Sequence, residues 1–257
     1  MTTLLENARI HSLPEDAFYI ADFITPEEEE LLLQKIHAVP LPRWTHLTHR
    51  RLQTWPSALS KSNTLLSSPL PPWLVSPIIT PRFDALSIFA DSPHHAPNHV
   101  LINEYKPGQG IMPHEDGATY HPLVATVSLG APIVLDLYPK RHLNHAHKSN
   151  RNQNGPHDED GYEYNGDGEP QFRILQERRS LLVTRGKLYT DFLHGIAERT
   201  ADEELGPQSI CNWGLLREPS VFEKEAYCRE TRVSLTYRDV IRVAKLGNTM
   251  KFLGGSR

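Results

Sequence analysis

The chain has 257 residues, enough to bury a sizeable core in one large domain or two small ones without disulfides or structural metals. Lys and Arg total 27 against 31 Asp and Glu, a net charge of −4, which excludes a global basic signature of nucleic-acid binding but leaves room for a local patch. Two cysteines, Cys211 and Cys228, form no C-x-x-C pair and fit a reducing compartment, and no apolar run approaches a membrane span, so a cytoplasmic or nuclear chain with no membrane role is expected.

In chain order, "AFYIADFI" is an apolar stretch, followed by the clearest helix start in the sequence, "TPEEEELLLQKIHAV". Thr25 is a good N-cap, Pro26 suits the first helical position, and Glu28 completes a capping box within an acidic first turn. Residues 40–98 are rich in Pro and Ser and read as loop, one short helix near 73–90, and loop. Within them "PRWTHLTHRRLQTWP" mixes Arg43, Arg50 and Arg51 with Trp44 and Trp55. Two readings stand: aromatic faces that stack on bases beside arginines that meet phosphates, or a hairpin whose tryptophans pack on the core and whose arginines are solvated.

From residue 99 the texture changes. "HVLINEY", "LVATVSLG", "IVLDLY", "RSLLVTRG", "SICNWGLL" and "TRVSLTYR" are short, rich in β-branched and aliphatic residues, and bounded by Gly or Pro. Without helices long enough for βαβ crossovers, they predict a mainly β (α+β) fold built on an antiparallel sandwich or barrel. The polar segment at about 139–172 cannot build a core and is expected to be a flexible insertion, on which His142, His145 and His147 are solvated.

The chemistry centres on "MPHEDGATYHP". Residues two apart on a strand share a face, so His114 and Asp116 can share a cation while Glu115 looks outward. A surface turn and a satisfied polar pair at a strand end are the competing readings. A two-histidine, one-carboxylate face needs a second histidine. His194 in "LYTDFLHGI" is the candidate, against a buried structural histidine. In "TRVSLTYR", Val233, Leu235 and Tyr237 share one face and Arg232, Ser234, Thr236 and Arg238 the other. At about 3.3 Å per residue the arginine Cα atoms lie roughly 20 Å apart, and their side chains can lean in to frame a short dicarboxylate. Asn103 and Tyr105 share a strand face and can hydrogen-bond into the same space.

Taken in order, "NEY", "PHEDG", "LHGI" and "RVSLTYR" resemble the AlkB-like Fe(II)- and 2-oxoglutarate-dependent dioxygenases, over most of residues 16–240. The resemblance implies a single domain over 1–257 with a double-stranded β-helix (jelly-roll) core over 99–240. Residues 1–98 would supply flanking N-terminal helices and a nucleotide-recognition lid. It implies Fe(II) ligands His114, Asp116 and His194, and 2-oxoglutarate contacts from Asn103, Tyr105, Arg232, Ser234 and Arg238. Ser234 stands where several relatives carry asparagine. With O2, the family oxidatively decarboxylates 2-oxoglutarate and hydroxylates a C–H bond; an N-methyl target then releases formaldehyde. Arg50, Arg51, Trp55 and Tyr120 are the candidate substrate contacts, His121 also stands beyond the iron pair, and a monomer acting on single-stranded or flipped-out nucleic acid is expected. A module that keeps these sites but turns over little, and a protein demethylase or hydroxylase, are the alternatives.

Overall fold

The computed structural model describes residues 5–14, 16–140 and 168–245. Most of the 139–172 segment, with His142, His145 and His147, lies outside the described residues. In chain order the strands are β1 (Ala17–Ile20), β2 (Thr45–Leu47), β3 (Arg50–Trp55), β4 (Leu65–Leu66), β5 (His99–Tyr105), β6 (Ile111–His114), β7 (Leu123–Leu129), β8 (Ile133–Pro139), β9 (Phe172–Gln176), β10 (Leu181–Arg185), β11 (Phe192–Ile196), β12 (Ala201–Glu203), β13 (Ala226–Cys228), β14 (Arg232–Arg238) and β15 (Val243–Ala244).

Two antiparallel sheets make the jelly roll. The larger runs β1-β10-β7-β14-β5-β3-β2 and the smaller β6-β11-β8-β9. Alternation along the strands decides what each face meets. On β14, Val233, Leu235 and Tyr237 point outward into the main hydrophobic cluster, with Val100 and Ile102 of β5 and Ala125, Val127 and Leu129 of β7. Helix α1 (Pro26–His37) covers that face with Leu32 and Ile36. Its N-terminus is built as expected, Thr25 and Glu28 forming a reciprocal capping box. Buried Glu29 anchors the helix to the sheet by accepting from the Gly130 N–H at 2.8 Å and from Arg178 at 2.6 Å.

Of the remaining N-terminal elements, the hairpin that is one reading of residues 42–56 is present, whereas the single helix near 73–90 is not. β2 and β3 form a hairpin on the edge of the larger sheet, with Leu47 opposite Arg50. The helical region near 73–90 is split into α2 (Pro72–Val75), a turn over Ile78–Phe83 and α3 (Asp84–Leu86). Pro77 and Pro81 cannot donate to a helical ladder, and Thr80 before Pro81 is extended (φ −110°, ψ 119°), so one continuous helix cannot form.

"SICNWGLL" is likewise not a strand but a turn ending in a 3₁₀ helix over Trp213–Leu215. Its apolar residues Ile210 and Leu216 are core, but Asn212 takes the place of a strand. The Asn212 amide accepts from the Leu175 N–H (2.9 Å) and donates to the Leu175 carbonyl (2.8 Å), and the Cys211 N–H donates to the Arg173 carbonyl (2.9 Å), so the segment caps the β9 edge without forming a strand. Among the described residues no helix is long and apolar enough to cross a membrane.

Candidate active site

The inner faces of the two sheets enclose a cavity of about 280 Å³, near the low end of the roughly 300–1,000 Å³ of small-ligand sites. β6 and β11 pair so that His114 and His194 are direct cross-strand partners, their ring centroids 4.4 Å apart. His114 Nδ1–H donates to the Met112 carbonyl at 2.9 Å, which leaves Nε2 with a lone pair free for a metal. Asp116 lies just past the end of β6 in a turn that Gly117 makes possible by adopting φ +81°. The space around Gly117 is open, so backbone conformation rather than crowding calls for glycine there. Asp116 Oδ2 sits 4.0 Å from His194 Nε2, while Oδ1 accepts from Arg238.

Among the described residues, no three metal-type side chains are already drawn in to ligating distances. Donors bound to one ion at about 2.1 Å stand about 3 Å apart when cis, about 1 Å closer than the 4.0 Å between Asp116 Oδ2 and His194 Nε2. The protonation states suit that role. Burial, then the neighbouring His114, lowers His194 to about 4, and burial also lowers His114, so both rings are neutral at physiological pH. Burial alone would raise Asp116, but Arg238, His194 and His114 outweigh it and hold the carboxyl below its ordinary value.

The other end of the cavity carries a cation with no counter-charge among the described residues. Arg232 is 2% exposed, and its Nη2 donates to Ser128 Oγ (2.8 Å) and Gln176 Oε1 (3.1 Å). Its Nε has no partner, and no carboxylate lies within ion-pair distance among the described residues. Burial lowers its guanidinium to about 10. Asn103, Tyr105 and Ser234 line the cavity along with Arg232 and Arg238. Register explains the grouping: β14 pairs with β5 so that Arg232 faces Tyr105 and Ser234 faces Asn103.

Of the four expected substrate contacts, the structure brings Arg50 and Tyr120 to the cavity and not Arg51 and Trp55. Arg50 Nε donates to Asn103 Oδ1 at 3.2 Å, and Tyr120 lies with its ring 4.3 Å from the Arg238 guanidinium. Arg51 and Trp55 have the opposite parity on β3 and point outward. Arg51 makes a two-pronged bond to buried Glu104, both contacts 2.7 Å, with its guanidinium over Trp44. Trp55 is sandwiched between Arg43 (3.8 Å) and the edge of Trp73.

Glu115, expected to look outward, lines the cavity and pairs with Lys140. Sequence reading also missed Gln176, Ser128 and Tyr189, whose hydroxyl donates to the Gly117 carbonyl at 2.7 Å and so ties down the turn carrying Asp116. Strand alternation in "LVATVSLG" was the available signal for Ser128: it shares a face with Val124 and Thr126, both of which line the cavity.

Residues 34–238 match the 2OG-Fe(II) oxygenase superfamily. The chain belongs to that superfamily. It is 36% identical over 241 residues to "Probable RNA/DNA demethylase ALKBH6" of Danio rerio, across 94% of this chain and 92% of that relative. It is 27% identical over 195 residues to "tRNA (carboxymethyluridine(34)-5-O)-methyltransferase alkbh8" of Xenopus tropicalis, across 74% of this chain and 26% of that protein. The solved structure of OsALKBH1 shares the fold with a TM-score of 0.52 at 13% identity, over 88% of this oxygenase and 98% of that chain.

Membership makes the protein an AlkB-like dioxygenase that uses Fe(II), 2-oxoglutarate and O2. The residues present fit those groups. Two neutral imidazoles on paired strands and a carboxylate beside one of them line one cavity, and Arg232 in the same cavity, with no ion-pair partner among the described residues, calls for an anion of the kind a dicarboxylate supplies.

Proposed function

We propose that this dioxygenase removes N-methyl groups from nucleic acid presented as a single strand or a flipped-out nucleotide, working as a monomer in the cytoplasm or nucleus. One observation carries the cosubstrate half of this reading: a single cavity holds the His114, Asp116 and His194 donors near one end and the unpaired Arg232 at the other. When bound, iron and 2-oxoglutarate supply the oxidising power that hydroxylates a methyl carbon, whose hemiaminal then breaks down to formaldehyde and the free amine.

The chain's own residues hold and orient. His114, Asp116 and His194 would ligate the metal. Arg232 would take the distal carboxylate of 2-oxoglutarate, with Asn103, Tyr105 and Ser234 along its length and Arg238 near the metal end. Leu101, Ile111, Val124, Leu135 and Leu137 keep the intervening wall apolar, which limits water at the reacting carbon.

The nucleic-acid half rests on the relative designated an RNA/DNA demethylase and on the groups at the cavity wall. Tyr120 and Tyr189 offer aromatic surface to a base. Arg50 hydrogen-bonds only through Nε among the described residues, leaving guanidinium donors for a phosphate or a base edge. The test is succinate and formaldehyde formation with Fe(II) and 2-oxoglutarate across a panel of N-methylated RNA and DNA oligonucleotides, with His194→Ala as control. Iron-dependent succinate formation stimulated by a methylated oligonucleotide, with matching formaldehyde, is expected. Turnover that no oligonucleotide in the panel stimulates would contradict the substrate assignment.

A further inference from the structure

Among the described residues, Arg232 is gripped from both sheets by neutral groups alone. Ser128 on β7 and Gln176 on β9 both accept from its Nη2, and the Ser128 hydroxyl also donates to Gln176 Oε1 at 3.2 Å. All three residues are at most 2% exposed, so the guanidinium is shielded from bulk solvent. The position nearest the charge that a carboxylate could occupy is held by an amide. Elsewhere in this chain buried arginines meet acids: Arg229 pairs with Asp202 at 2.7 Å, and Arg238 with Asp116. Arg232 alone of these is positioned without being neutralised.

We propose that Gln176 is the specificity-determining residue that makes the cosubstrate site demand a dicarboxylate. An amide oxygen can orient the guanidinium as a carboxylate would, but it contributes no formal charge, so the buried cation is completed only when the ligand brings a second carboxylate. A glutamate at this place would complete it internally. The requirement for a second charge on the ligand would then disappear, although the remaining shape of the cavity is unchanged. The selectivity therefore lies in the absence of an acid at position 176 as much as in the presence of the arginine. This inference rests on the assignment of Arg232 as the seat of the distal carboxylate.

The experiment compares 2-oxoglutarate with 2-oxopentanoate, which has the same five-carbon 2-oxoacid chain with a methyl in place of the distal carboxylate. Binding of each is measured calorimetrically on anaerobic, Fe(II)-loaded full-length protein, and melting temperature reports folding. Wild type is expected to prefer 2-oxoglutarate by on the order of 10- to 100-fold, the worth of a charge-assisted pair. Gln176→Glu should reduce that preference at least tenfold or to near unity, mainly by weakening 2-oxoglutarate. Gln176→Leu, which removes the acceptor but adds no charge, should stay within about threefold of the wild-type ratio. Should Gln176→Glu not fold, Ser128→Asp delivers a carboxylate to the same Nη2 and carries the same expectation.

An unchanged ratio in the acidic variants overturns the inference, as does an equal collapse in Gln176→Leu, which would assign the effect to packing. Arg232→Met separates this failure from that of the site assignment. If 2-oxoglutarate binds Arg232→Met as tightly as wild type, the seat itself is wrong; if binding is lost there but the acidic variants keep the wild-type ratio, only the role of Gln176 falls.

Discussion

Replacing Arg232 with methionine should make the ligand-free protein more stable while destroying its response to 2-oxoglutarate. The reasoning starts from the uncompensated charge. Burial lowers the guanidinium from its ordinary value to about 10, which corresponds to roughly 3 kcal/mol against the charged form. Because the folded value lies below the unfolded one, the unfolded chain holds the proton more tightly. The cost is present in full below about pH 10 and is relieved only as pH rises from there toward the ordinary guanidinium value, so at neutral pH the native state bears all of it. Methionine fills similar space without charge. Ser128 and Gln176 each lose one donor, at about 0.5–1.5 kcal/mol apiece, but keep their bond to each other. The net expectation is a gain of up to about 2 kcal/mol, read as a rise of up to roughly 8 °C in Tm for a chain of this size. Added 2-oxoglutarate, which should raise the wild-type Tm by mass action, should leave the variant unmoved. Thermal melts of both proteins, with and without the diacid, check this. A lower Tm for the ligand-free variant would refute the stability argument, and a retained shift with 2-oxoglutarate would refute the cosubstrate assignment.

Arg238→Met should weaken iron binding by about 10- to 100-fold, because Asp116 loses the group that orients it and favours its ionised form; anaerobic Fe(II) titration against a chelator reads this out, and unchanged affinity would remove Arg238 from the support of the metal site. Gly110→Ala should destabilise near the upper end of about 1–3 kcal/mol, since a Cβ there would stand 2.2 Å from the Ile196 carbonyl oxygen. Because that contact joins the start of β6 to the end of β11, Tm should fall by several degrees, and a wild-type Tm would show that the two strands have room to move apart.

Most of the candidate site was legible because it lies on strands whose alternation is unambiguous. In "TRVSLTYR" the apolar set can face only the core, which turns Arg232 and Arg238 inward together, and the same parity turns Asn103 and Tyr105 toward them. His114 and His194 fall on adjacent strands in direct register, a relation that no local pattern encodes but that the family resemblance implied. The adjacent pair Arg50 and Arg51 was ambiguous for the same physical reason that strands are otherwise informative: one must face in and the other out. What decides between them is Glu104, which lies between the inward-facing Asn103 and Tyr105, faces the other way, and needs a cation. That register is a tertiary fact. Gln176 escaped notice because β9 follows the polar insertion and pairs back across it with β8. "SICNWGLL" misled because its composition is that of a strand, while its bonds to β9 come from the Asn212 side chain and the Cys211 N–H and the rest of its backbone closes on itself in turns.

The two-pronged bond from Arg51 to Glu104, shared with His37 at the end of α1 at 3.2 Å, has a consequence for how the pocket can be retuned. It rivets the hairpin to the framework from behind, so the rim that greets an incoming ligand belongs to the chassis of the molecule. New preferences can therefore be written by exchanging Arg50, the β3 side chain that lines the cavity, while its neighbour Arg51 keeps the strand in place.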